Sequence, residues 1–211
     1  MLTKHHDEIC REALGAYFSP QAMKIIIAAN LRQDGLRGQI GHPEFHFDDN
    51  AFDESYAYIE EQRDLILAGL GDNTPASAWK ALGRLTHTAQ DFYAHSNYIR
   101  LWAESYPENE WPAPSTAPNQ ATEFLQHPQL ASGRVYKWDF ISFIPGFYNL
   151  AMRNLPPDSH GYMNLDHPGR GPLFPYVMAA AVKQTQYEYD KTAQQITTEL
   201  GPEILATFTT R

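Results

Sequence analysis

The sequence predicts an all-α protein, and three features of the chain indicate this class. Proline follows a possible capping residue at Ser19-Pro20, Thr74-Pro75 and Gly171-Pro172, an arrangement that favours the start of a helix. Each of these dipeptides is followed by a long stretch that reads as a helix. The chain also lacks the succession of alternating strands typical of a β protein, and it has no repeat at a fixed period.

The sequence predicts five helices. In chain order they cover residues 3–14, 21–32, 52–70, 76–102 and 173–201. The last of them stops at Gly201-Pro202, because glycine favours the end of a helix and proline cannot continue one.

Two long connections rich in proline and glycine, residues 106–132 and 155–175, separate the last two helices. Connections longer than about 15 residues in a compact domain are usually functional or mobile. Between them lies an aromatic segment, residues 136–152. We expect a buried core element there, with a lipid-facing lip beside a functional site as the alternative.

Size and composition indicate an ordinary globular chain. The 211 residues suffice for one domain with a sizeable core, and we expect a single helical domain that spans residues 1–211. A hydrophobic content of 43% and a charged content of 19% exclude wholesale disorder. The formal charge of −9 disfavours a nucleic-acid-binding surface, which needs a basic face. We therefore expect no nucleic-acid scaffold as a partner.

The sequence also bears on membranes and location. No stretch reaches the roughly 18–20 consecutive apolar residues of a membrane span, so we expect no transmembrane segment. The first residues, MLTKHHDEIC, lack the apolar region of a secretory signal. We therefore expect a cytoplasmic protein or one exported by a signal-independent route, unless a leader precedes this sequence.

A stripe of metal-binding residue types lies on the predicted helix after Pro75. His87, Asp91 and His95 are spaced i, i+4 and i+8 and share one face, each about 6 Å further along the axis. The two histidines are then about 12 Å apart, too far to share one ion, and Asp91 lies between them. A site for several ions with the carboxylate at its middle is our interpretation, and an ordinary surface pair is the alternative.

Other histidines and carboxylates lie in the first helix and in the loops. A thiolate site is excluded because Cys10 is the only cysteine, so a metal would use histidine and carboxylate ligands. Taken singly, each of these residues is more typical of a solvated loop, and His127 in particular looks unrelated to any site. The remaining candidates are His5, His6, Asp34, His42, His46, Asp48, Asp49, His160, Asp166 and His167.

Three sequence blocks resemble a known family. LGRLTHTAQDFYAHSNYI resembles the signature helix of HET-C-like proteins, which are related to the zinc-dependent phospholipase C and P1 nuclease superfamily. PEFHFDD and SHGYMNLDHPG resemble segments that accompany that helix. The resemblance implies an all-α domain of the phospholipase C type, with two or three zinc ions at the mouth of a cleft.

The same resemblance implies a set of ligands. It favours His6 over His5 as the metal ligand from the first helix, and it assigns Asp91 as the carboxylate that bridges two ions. This chain lacks the family's His-x-x-x-Glu motif, and His160 with Asp166 as its acidic partner substitutes for it. The implied metal ligands are His6, Asp34, His46, His87, Asp91, His95, His160 and Asp166.

The function implied by the resemblance is zinc-dependent phosphodiester hydrolysis of the phospholipase C type. Zinc lowers the pKa of a bound water to about 7, which supplies hydroxide at neutral pH, and Asp34 and Asp91 are the expected catalytic residues. A phospholipid headgroup is the expected substrate, with transient contact to a membrane surface. The alternatives are a nuclease or phosphomonoesterase, and a non-enzymatic module that metal stabilises for partner or membrane binding.

Overall fold

Helices dominate the computed structural model, which describes residues 1–107, 110–142 and 146–210. Its α-helices are α1 (Thr3–Leu14), α2 (Pro20–Leu31), α3 (Leu36–Gln39), α4 (Phe52–Gly71), α5 (Pro75–His95), α6 (Tyr98–Ala103), α7 (Thr122–Leu125), α8 (Lys137–Ser142), α9 (Tyr148–Asn154), α10 (His160–Met163), α11 (Phe174–Glu199) and α12 (Pro202–Thr210). Over the described ranges, β pairing is limited to isolated bridges at Ser96–Ser132 and Arg134–Ser159. The predicted all-α class is confirmed.

The first helices begin where the sequence predicts. Helix α1 has the predicted bounds. Helix α2 begins at Pro20, and the Ser19 hydroxyl accepts a hydrogen bond from the backbone N–H of Ala22. The start of α5 differs in detail, because Thr74 donates its hydroxyl to the Gly69 carbonyl instead of capping the helix. Proline at the first turn therefore sets the start of α5 without a side-chain cap.

Helix α5 ends at His95, seven residues before the predicted end. Ser96 has extended backbone (φ −96°, ψ 167°), and its hydroxyl donates to the Phe92 carbonyl at 2.5 Å. The same hydroxyl accepts from the backbone N–H of Tyr98 at 3.3 Å, at the start of α6. A serine side chain that competes for backbone hydrogen bonds thus divides the predicted helix in two.

The C-terminal end also holds two helices. Gly201 has a φ of +100°, which suits glycine at a helix end, and α11 ends just before it as predicted. Pro202 then begins α12. The indole N–H of Trp79 in α5 donates to the Phe208 carbonyl at 2.8 Å, which ties α12 to the core.

Helix α5 is the central element, since it contacts α2, α4 and α11. Every residue from Leu85 to His95 is buried. At Gly83, a Cβ atom would lie 2.2 Å from the carbonyl oxygen of Ile26, so the absence of a side chain lets α2 approach closely. Polar side chains on the second half of α5 are therefore held inside the protein.

A buried ion pair joins α4 to α11. The guanidinium of Arg63 is 1% exposed and lies 2.5 Å from a carboxylate oxygen of Glu188. It also donates to the hydroxyl of Thr192 at 2.5 Å. These bonds compensate the cost of burying the charge.

The aromatic segment 136–152 differs from the predicted core element. It forms α8 and α9, and residues 143–145 of it lie outside the described residues. Ala151 is buried, whereas Phe147 and Leu150 are 49% and 47% exposed. The expectation of a buried core element is therefore wrong for much of this segment. None of the helices within the described ranges is long and apolar enough to cross a membrane.

Candidate metal centre

The stripe on α5 faces the interior. His87 and Asp91 are fully buried, and His95 is 4% exposed. Carboxylates and imidazoles from α1 and from three loops lie against this stripe. A solvated surface pair, the alternative considered for these residues, does not describe their surroundings.

Two groups of potential ligands meet along the stripe. In each group the ligand atoms all lie within 4.8 Å of one another. The first group consists of His6, Asp34, His87 and Asp91, and the second of Asp48, His95 and His160.

The first group has the spacing of a tetrahedral site. Asp91 Oδ1 lies 3.2 Å from Nε2 of His6, and Asp91 Oδ2 lies 3.1 Å from Nε2 of His87. The two oxygens of Asp34 lie 3.9 Å from His6 Nε2 and 3.7 Å from His87 Nε2. Tetrahedral zinc with bonds of about 2.0–2.1 Å separates its ligand atoms by about 3.3 Å. The four side chains therefore surround a space suited to one such ion.

Two atoms of this group are buried without a hydrogen bond. Among the residues that the structure describes, His6 Nε2 and Asp34 Oδ2 have no hydrogen bond. A buried polar atom left unpaired costs about 1–3 kcal/mol. Both atoms face the same space, and a cation there would satisfy both.

Amide side chains behind the histidines determine which ring nitrogen carries the proton. His6 Nδ1 lies 2.6 Å from Gln90 Oε1, and His87 Nδ1 lies 3.4 Å from Asn30 Oδ1. Asn30 Nδ2 donates to the same Gln90 oxygen at 3.2 Å. Amide oxygens only accept, so each imidazole donates from Nδ1, which in the neutral ring leaves the Nε2 lone pair directed inward. An unprotonated imidazole nitrogen is the form that binds a metal.

His46 extends the first group. Its Nε2 lies 3.3 Å from the Gly38 carbonyl oxygen. Its Nδ1 lies 2.9 Å from Asp91 Oδ2 and 3.2 Å from His87 Nε2. Three such atoms in close contact need a proton or a cation among them.

The second group is centred on a carboxylate from the loop after His46. Asp48 Oδ1 lies 2.8 Å from Nδ1 of His160 and 3.3 Å from Nδ1 of His95. His160 is carried by the short helix α10, which the second long connection supplies. This connection therefore contributes to the centre.

A second face of His95 meets further charged atoms. Its Nε2 lies 3.2 Å from Asp166 Oδ1 and 3.1 Å from the nitrogen of Met1. The Met1 nitrogen also lies 2.8 Å from Asp91 Oδ1 and 3.2 Å from Asp166 Oδ1. Asp91 thus reaches toward both groups, as its place at the middle of the stripe suggests.

The carboxylates of the centre are held ionised. Burial by itself would raise the pKa of Asp91, but the positive charges of Met1 and His95 hold that pKa well below its usual range. Asp48 behaves in the same way, because His160 and His95 outweigh burial and lower its pKa. Burial lowers the pKa of His87 to about 4. His87 is therefore neutral and these carboxylates are negative at neutral pH, the states that metal ligands require. The carboxylates in turn raise the pKa of His95 and of His160, so an ion at the second group would displace a proton from each.

A cavity of about 260 Å³ lies against both groups. It gives an ion or a water molecule space beside the ligand atoms. The ligand candidates that line it are Asp34, His46, Asp48, His95, His160 and Asp166.

The structure brings every residue predicted as a ligand into this one centre. Other histidines lie outside it: His5 contacts Glu8 and packs on Phe174, and His42 stacks on Phe45. His127 and His167 each accept a hydrogen bond from a nearby backbone N–H in their own loops.

The ligand set implied by sequence omits Asp48, although this residue stands in the candidate loop. Phe47 has a positive φ of +56°, and its ring is buried against Phe92. The turn at Phe47 directs His46 and Asp48 into the same centre, and no sequence pattern announces that turn. Asn30 and Gln90 are also missed, because an amide on a helix carries no metal signature.

Comparison with known proteins identifies relatives for part of the chain. Residues 7–123 match the family model described as the VWA7 N-terminal domain. Human von Willebrand factor A domain-containing protein 7 is 31% identical over 111 residues, 48% of this chain and 12% of the relative. The rat protein of the same name is 29% identical over 113 residues, 50% of this chain and 12% of the relative. The chain thus spans a small part of these relatives' length. No solved structure matches.

These matches correct the functional expectations drawn from sequence. The resemblance to HET-C-like proteins and the phospholipase C and P1 nuclease superfamily is wrong as an assignment, because the family that matches is a different one. Zinc-dependent phosphodiester hydrolysis is overturned by the same finding. The physical reason is that histidine and carboxylate spacing on a helix indicates metal chemistry and does not specify a reaction.

Proposed function

The chain belongs to the VWA7 N-terminal domain family, and from this premise we propose that it is a zinc-binding domain that holds two ions in the buried centre. One ion lies among His6, Asp34, His87 and Asp91. The other lies among His95, Asp48 and His160, with Asp166 beside it. Asp91 stands between the two positions.

One observation carries this proposal: His6 Nε2 and Asp34 Oδ2 are buried, have no hydrogen bond among the described residues, and face one another across the same space. Folding normally satisfies such atoms. A cation between them removes the cost of burying both and neutralises Asp91, which is fully buried beside them.

The donor set favours zinc over other biological cations. Imidazole nitrogens suit zinc, copper, iron and nickel, whereas calcium and magnesium prefer sites made of oxygen. The spacing of the first group agrees with the tetrahedral geometry that zinc adopts. The amide groups of Gln90 and Asn30 support this choice, since metal-bound histidines usually donate their other N–H to a neighbour.

Metal content tests the proposal directly. The full chain is stripped with dipicolinic acid, reconstituted with zinc, desalted and measured by elemental mass spectrometry. We expect about two zinc ions per chain. The double variants His6→Ala/His87→Ala and His95→Ala/His160→Ala should each lose one ion and retain the other. Reconstitution with an equal mixture of zinc, nickel and manganese should still yield predominantly zinc.

His127→Ala is the matched control, because this histidine lies outside the centre and should keep both ions. Wild-type protein that holds no zinc after reconstitution would overturn the proposal. The same zinc content in wild type and both double variants would overturn the assigned ligands. Circular dichroism on each variant shows whether a loss of zinc accompanies a loss of fold.

A further inference from the structure

A second cavity of about 790 Å³ lies between α2, α3 and the N-terminal half of α5. It contains none of the candidate metal ligands. We refer to it as the α2–α5 groove, and neither the metal centre nor the family assignment accounts for it.

The α2–α5 groove is basic in an acidic protein. The chain has a formal charge of −9 with 16 lysines and arginines, and no aspartate or glutamate is among the lining residues. The cationic lining residues are Lys24, Arg32, Arg37, Lys80 and Arg84. Five of the 16 lysines and arginines therefore line one concave surface.

The fold leaves these charges without acidic partners. Helices α2 and α3 contain no acidic residue, and the only one in α5 is Asp91, which belongs to the metal centre. Within the described part of the chain, the side chains of Lys24, Arg32, Arg37 and Lys80 form no ion pair or hydrogen bond. Arg84 donates to the neutral amide of Gln62. Since Lys80 and Arg84 are like charges one helical turn apart, they repel each other.

Four apolar residues also line the groove, and we call them its floor. They are Ile25, Ala28 and Ala29 of α2, and Phe45. The two alanines leave room for another backbone to approach. Lys24 lies in α2 and Arg32 directly follows it, while α5 supplies Lys80 and Arg84. An apolar strip with cations from two helices is complementary to a helix with one apolar face and acidic flanks.

We propose that the α2–α5 groove binds an acidic amphipathic helix of a partner protein. The partner's apolar residues contact Ile25, Ala28 and Ala29, and its carboxylates pair with lysines and arginines of the groove. A lipid surface fits less well, because a flat bilayer does not enter a concave groove. A small inorganic anion also fits less well, because it has no apolar surface to bury against the floor.

A designed peptide tests the groove. The probe is a fluorescein-labelled 18-residue helix with leucines on one face and glutamates at i, i+4 and i+8, and the control peptide has glutamine at each glutamate. Binding to the full chain is measured by fluorescence anisotropy at low and at moderate salt. We expect the acidic peptide to bind, with affinity falling as salt increases, and the glutamine peptide to bind at least about tenfold more weakly.

The variant Lys24→Glu/Lys80→Glu reverses two exposed charges that form no ion pair or hydrogen bond with the described residues. It should weaken binding of the acidic peptide by at least about tenfold. Lys137→Glu/Arg153→Glu changes charge equally at exposed positions outside the groove and should leave binding unchanged. Equal binding by both double variants, or equal affinity for both peptides, would overturn the proposal. So would co-sedimentation with phosphatidylserine vesicles in the absence of peptide binding.

Discussion

The Nδ1 atom of His6 donates a hydrogen bond of 2.6 Å to Oε1 of Gln90, a residue 84 positions later in the chain. Both side chains are buried. This bond places a proton on Nδ1 of His6, and it orients the ring so that Nε2 faces the first group of candidate ligands. The expected effects of Gln90→Leu and Gly83→Ala depend on this hydrogen bond and on the packing of α5, respectively.

Gln90→Leu should lower zinc affinity without removing a ligand. His6 loses its acceptor and can rotate or change tautomer, which typically costs about 10–100-fold in metal affinity. Competition against a chromophoric chelator measures the change. Gln126→Leu, at an exposed position, is the control. Unchanged affinity in the Gln90 variant would show that the amide does not orient His6.

Asp91→Asn should affect both zinc ions. The substitution keeps the shape of the side chain but removes the charge that lies between the two groups, so we expect zinc content to fall below about one ion per chain. Asp64→Asn, on the exposed face of α4, should keep both ions. Elemental analysis after reconstitution gives the answer, and two retained ions would exclude a shared role for Asp91.

Gly83→Ala should destabilise the fold although alanine favours a helix. The new Cβ would lie 2.2 Å from the Ile26 carbonyl oxygen, and relieving such a contact typically costs about 1–3 kcal/mol. Gly71→Ala is a matched control, since nothing lies within 4 Å of its Cβ, and it should be neutral or stabilising by up to about 1 kcal/mol. Urea unfolding of both variants measures the two free energies. Equal stability would mean that α2 and α5 are not closely packed there.

The Cys10 thiol should resist modification in the folded protein. Burial raises its pKa to about 11, so the reactive thiolate is scarce at pH 8. An aromatic disulfide reagent should label it slowly at pH 8 and rapidly in urea. Because the folded pKa lies above the unfolded one, this group favours the folded state fully below about pH 9 and loses that effect as the pH rises toward 11. Comparing wild type with Cys10→Ala between pH 8 and pH 11 isolates this contribution, and equal pH dependence would contradict it.

Much of the helical framework could be predicted from the sequence. Proline at Pro20 and Pro75 and glycine at Gly201 act on their own backbone and their immediate neighbours, so their effect is readable locally. The break at Ser96 was missed because a serine hydroxyl either continues or interrupts a helix according to which carbonyl it reaches.

For the metal centre, the spacing of His87, Asp91 and His95 determined that three ligand types share one helix face, because that follows from 3.6 residues per turn. Only the tertiary structure decided that this face is buried and that His6, Asp34 and Asp166 lie against it, since those contacts join positions far apart in the chain. The sequence blocks suggested the wrong family, because ligand spacing is common to many metal sites. Chemistry at one helix face is local information, whereas the enclosure of that face depends on how the whole chain packs.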